Sequence, residues 1–122
     1  MLDLDTAPLS ASDAAESSLL GGLILAPFLR RRVGTLRSAD FREHTRALIF
    51  DALLGMDGPV TANLLWAELE ARGAKPPAGT TWPWVIGELL SDPQVDEDTL
   101  PGFVKTIKEA AAKRRLEGLR KG

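Results

Sequence analysis

Over residues 15–25 the chain reads Ala-Glu-Ser-Ser-Leu-Leu-Gly-Gly-Leu-Ile-Leu, and few folds accommodate such a stretch. Leu19, Leu20, Leu23 and Ile24 recur at the helical period and form an apolar stripe. Asp13, with Glu16 three residues later, has the capping-box spacing that satisfies orphan backbone donors at a helix start. Gly21 and Gly22 fall in the middle of this helix, where each costs roughly 0.5–1 kcal/mol relative to alanine. Such a pair serves close approach of a neighbouring backbone, and Gly21 is the expected crossing point for another helix.

The 122 residues suffice for one domain with one modest core. A composition of 44% hydrophobic and 26% charged residues is that of an ordinary soluble globule. The net charge of -2 gives no global pull towards nucleic acid, but charge is unevenly spread. Residues 1–18 hold Asp3, Asp5, Asp13 and Glu16 without Lys or Arg, whereas 30–46 and 105–121 are basic. The absence of cysteine excludes disulfides and thiolate metal sites. The single histidine, His44, has no converging carboxylates, so neither a metal site nor a cofactor is expected. The longest apolar run, 19–28, is about half of the ~20 residues a membrane-spanning helix needs, and no basic segment of a secretion signal precedes it. The expectation is a cytoplasmic protein with no membrane partner.

In chain order, residues 1–11 are a polar, acidic lead-in, and the first helix spans about 13–26, ended by Pro27. Residues 28–36 suit a short helix with Phe28, Leu29, Val33 and Leu36 inward. Asp40 as cap and Glu43 at the capping-box position open the next helix, with Phe41, Leu48, Ile49, Ala52, Leu53 and Met56 buried. Asp57, Gly58 and Pro59 stop it. Thr61 caps a helix with Leu64, Leu65 and Leu69 inward and Gly73 at its end. Thr81 caps another over 82–91, with Pro83 tolerated in its first turn. After an acidic loop over 92–99, residues 100–119 form the longest helix, with Leu100, Phe103, Val104, Ile107 and Ala111 on its apolar stripe. Its basic end suits a helix C-terminus. The chain is therefore all-α: a compact bundle of five to six short helices ending in a longer C-terminal helix. It divides into a lead-in (1–11), a helical head (12–98) and the C-terminal helix (99–122).

Catalytic chemistry has no carrier here. There is no phosphate-binding glycine loop, no Ser/His/Asp set, and Glu68 and Glu70 point to different helix faces. Two binding signals remain. Arg30, Arg31, Arg32 and Arg37, with Arg42 and Arg46 beyond, suit phosphate contacts. The end of the last helix has little to bury against in its own chain, and Trp66, outside the Leu64/Leu65/Leu69 stripe, suits either a partner anchor or burial against a loop.

Five blocks in order resemble the N-terminal domain of DnaB-type bacterial replicative helicases. Ala15-Glu16 with Leu20-Gly21 and 23–25 matches that family's opening A-E-x-x-x-L-G-x-L-L pattern without a gap. Asp40-Phe41, then Leu48-Ile49-Phe50 and Ala52, matches its D-F…H-R-x-I-F-x-A segment, with Arg46 at the place of the histidine. Val60-Thr61 with Leu64, Glu68-Leu69 and Gly73 matches the short helix ending in L-x-x-x-G. Trp84-Val85 with Leu89-Leu90 stands at its Y-L-x-x-L helix, and Phe103-Val104, Ile107, Ala110 and Arg114-Arg115-Leu116 match its last helix loosely. The likeness spans about residues 7–119.

The resemblance implies a non-catalytic module that forms a collar above a motor ring and docks primase or a helicase loader. It also implies self-association, or association with full-length helicase, and makes 100–119 the first arm of a helical hairpin. Phe103, Val104, Ile107 and Ala111 are then interface or head-packing residues, and Arg115 and Trp66 join the expected interface. No P-loop is present, so ATP hydrolysis by that family's mechanism is not expected of these residues. The helicase-binding C-terminal domain of bacterial primases has a similar head and stays open as an alternative. So does a small DNA-binding protein using its arginine-rich face, or a weak single-stranded DNA contact.

Overall fold

The computed structural model describes residues 11–91 and 95–121, and every regular element within them is helical. Helix α1 (Ala11–Leu25) is followed by a 3-10 segment (Pro27–Arg32) and a 3-10 turn (Ser38–Asp40). Then come α2 (His44–Leu54), α3 (Ala62–Ala71), α4 (Trp82–Leu90) and the long α5 (Leu100–Lys121). The expected all-α bundle with a longer last helix is what forms. Apart from Ala11, the lead-in lies outside the described residues, as do residues 92–94 of the acidic loop.

Helix α1 is the hub, packing against α2, α4, α5 and the 3-10 segment. Residues 19–24 are buried around the whole circumference, beyond the single stripe that periodicity indicates. At Gly22 the close approach comes from a loop: a Cβ there would lie 2.8 Å from Val95 Cβ, in the segment leading into α5. At Gly22 a side chain therefore has no room.

Asp13 and Glu16 serve α1 differently from a capping box. The helix begins at Ala11, which places both acids inside it and facing α2. There Arg46 donates through Nε to Glu16 Oε1 at 2.7 Å and through Nη2 to Asp13 Oδ1 at 2.5 Å. Arg42 forks onto both Asp13 oxygens at 3.0 Å, and its backbone N–H donates to Glu16 Oε2 at 2.8 Å. Glu16 is fully buried, and Asp13 and Arg46 nearly so.

The caps at Thr61 and Thr81 form as expected, accepting from the backbone N–H groups of Leu64 and Trp84. Gly73, at φ 73°, ends α3 in a Schellman arrangement: its N–H reaches the Glu70 carbonyl, and that of Ala74 reaches Leu69. One cap and two inward assignments change. Asp40 does not cap α2 but closes its own 3-10 turn, leaving Glu43 at the cap position without a side-chain capping bond. Phe28 is 53% exposed, because the tighter winding after Pro27 turns Leu29 and Arg30 inward instead. Leu64 is 52% exposed, since α3 lies at the periphery and buries only Leu65 and Leu69. Conversely Phe50, absent from the expected core, is fully buried with its ring 4.8 Å from that of Phe41.

Gly22→Leu is expected to destabilise the domain by about 1–3 kcal/mol through overpacking, with Val95→Ala partly restoring it. Thermal melts check this, and an unchanged midpoint in Gly22→Leu contradicts the close approach.

Candidate functional site

Helix α5 presents different faces to the head and to solvent. Leu100, Ile107 and Ala111 are buried against the head, and Phe103 and Val104 are half-buried on the same face. Of the two places the resemblance allows Ile107 and Ala111, a partner interface or the head, they take the head in this chain. Phe103 keeps some exposure in a shallow groove of ≈ 680 Å³ between α1 and the start of α5, beside Ala14, Ser18 and Gly102. Arg115 is also committed, donating through Nη2 to Asp40 Oδ1 at 2.7 Å, while Arg114 donates to the Asp40 carbonyl at 2.8 Å. Trp66 is 38% exposed, its indole N–H donating to Glu70 Oε2 at 3.1 Å.

Beyond Arg115, Leu116 and Leu119 on α5 are 60% and 77% exposed. With Ala112 they recur at four- and three-residue spacing, so they make a second, outer stripe offset from the inner one. The signal was present in the sequence, but basic neighbours masked it as a thinning of the first stripe.

The arginines do not form one phosphate-contacting face. Arg30 is buried, donating to the carbonyl oxygens of Leu23 at 3.2 Å, Met56 at 2.8 Å and Gly58 at 2.9 Å. It clamps the end of α1 to the α2–α3 loop; burial lowers its pKa and Asp57 opposes that shift. Arg46 is spent on α1, and Arg42, whose bond to Asp13 raises its pKa, is paired there too. Arg32 pairs with Glu97 and stands 5.9 Å over the Phe28 ring. Arg31 is exposed beside Phe28 and Leu54. Arg37 lies apart from these, across from α5 in a pocket with Lys108 and Arg115.

His44 opens α2 as an exposed residue. Among the described residues no group of acids and histidine is placed to hold a metal, and no helix is long and apolar enough to cross a membrane.

Asp40 ties this region together. Burial pushes its carboxyl upward, but the Arg37 backbone N–H, the Arg115 guanidinium and the charge of Lys108 outweigh it and hold the pKa below the ordinary value. A depressed pKa contributes stability that is present above the unfolded-state value and lost as pH falls through the folded one. Asp40→Asn is therefore expected to melt below wild type at neutral pH, with the difference shrinking as acidity rises from about pH 5 towards pH 1. Melting midpoints across that range check this, and a gap independent of pH contradicts it.

No family model, curated protein or solved structure matches the chain.

Proposed function

We propose that this chain is a protein-interaction and self-association module of the DNA-replication machinery, built like the head of DnaB-type helicases. Its work is to bind rather than to catalyse, in the cytoplasm, with primase, a helicase loader, full-length helicase or a second copy as partner. The observation that carries the reading is the outer stripe of α5. Two leucines on the far side of a helix whose near side is already packed call for a second helix, as a hairpin arm or a partner supplies. The five sequence blocks in helicase-head order support the choice of partner class, and exposed Trp66 offers a second anchor.

Calorimetric titration of the chain against primase and against full-length helicase from the same source tests this, with light scattering for self-association. Binding to at least one, or a dimeric mass, is expected. Leu116→Asp with Leu119→Asp should weaken that association at least about tenfold while leaving the melting midpoint unchanged, since both side chains are exposed. Binding to helicase alone points to the primase-type head. A strictly monomeric chain that binds neither protein contradicts the proposal.

A further inference from the structure

The two basic stretches of the sequence, 30–46 and 105–121, lie far apart in the chain but meet at one place. Gly34, at φ 64°, turns the backbone in a way that favours glycine, and the residues after it run towards α5. Thr35 accepts a hydrogen bond from Lys108 Nζ across that gap. Arg37, two residues on, faces Arg115 over a pocket of ≈ 380 Å³ lined by Thr35, Arg37, Asp40, Lys108, Ala112 and Arg115. Ala112, with its short side chain, leaves the space between Lys108 and Arg115 open.

The lining holds three cations and one carboxylate, and that carboxylate is already occupied. Asp40 Oδ2 accepts the Arg37 backbone N–H at 3.0 Å and Oδ1 accepts Arg115 at 2.7 Å, with the Asp40 side chain only 4% exposed. Asp40 therefore orients the Arg115 guanidinium and leaves the mouth positive. A guanidinium has five N–H donors in a planar fork, and the bond to Asp40 uses one of them, so Arg115 keeps donors for an anion. Outside the pocket the cations continue, because Lys105, Lys108 and Arg115 share one side of α5 over about 15 Å of helix. One phosphorylated side chain would use the pocket alone, whereas a chain of phosphates uses the pocket and the row beside it.

We infer that the pocket of Arg37, Lys108 and Arg115, together with Lys105, binds the phosphodiester backbone of nucleic acid. The cations of the pocket meet phosphates, which are the same at every base, so the contact is independent of sequence. This goes beyond the protein-binding role and does not rest on it, because the test uses this chain alone.

Fluorescence anisotropy with labelled single-stranded and duplex oligonucleotides at low salt reads the affinity, and the two arms show which form is preferred. Binding to at least one form is expected, insensitive to base sequence and weakening steeply with salt. Arg37→Gln with Lys108→Gln should weaken binding about tenfold or more and reduce the slope of log affinity against log salt by about two. Lys105→Gln, on an exposed residue away from the Asp40 bonds, should reduce it by about one and serves if the double variant does not fold. Absence of binding to both forms overturns the inference, as does unchanged binding in these variants. Capture of a phosphoserine peptide in place of either oligonucleotide also overturns it.

Discussion

Arg46 carries its charge from α2 into a site where Glu16 is fully cut off from water and Asp13 nearly so. Removing these groups from solvent costs several kcal/mol per ion, and only close geometry with every donor and acceptor met recovers it. That condition holds: Arg46 spans both acids, Arg42 completes Asp13, and the Arg42 backbone N–H takes the remaining Glu16 oxygen. Among the described residues no buried side-chain nitrogen or oxygen lacks a partner. The consequence is register. Hydrophobic contacts between α1 and α2 tolerate sliding, whereas a guanidinium that must meet two carboxylates fixes one alignment. Because α4, α5 and the 3-10 segment also pack on α1, that alignment is passed to the rest of the head.

A second, weaker copy of the same device sits at the other side of the fold. Asp40 fastens α5 through Arg114 and Arg115, and Arg30 fastens the end of α1 through three carbonyl oxygens. The head thus uses its arginines largely as internal connectors. What it leaves at the surface is selective: the outer leucines of α5, which we propose meet a partner helix, and the Arg37–Lys108 mouth, which we propose takes phosphate. These two surfaces lie along the same helix, so a partner on one alters access to the other.

Much of the fold was legible in the sequence because its signals are local. Thr61, Gly73, Thr81 and Pro83 act within a turn of their own positions, and Leu19, Leu20, Leu23, Leu65 and Leu69 follow the helical period. Tertiary pairing was not legible. Glu16 has the spacing of a capping partner for Asp13, yet both acids answer to Arg42 and Arg46, about thirty residues away, and no local rule names those partners. Arg30 reads as one of three equal arginines until the 3-10 winding after Pro27 turns it inward and leaves Arg31 out. The candidate site was legible in part: its helix, its basic character and the inner stripe with Ile107 and Ala111 were, while the exposed stripe of Leu116 and Leu119 was not.

Glu16 and Arg46 act as one buried unit. A double-mutant cycle with Glu16→Gln and Arg46→Met, followed by urea unfolding, measures this directly. Each single change should cost about 3–5 kcal/mol by stranding its partner, and the double variant should cost clearly less than the sum. Costs that simply add would show that the two residues stabilise the head independently, and would contradict the account.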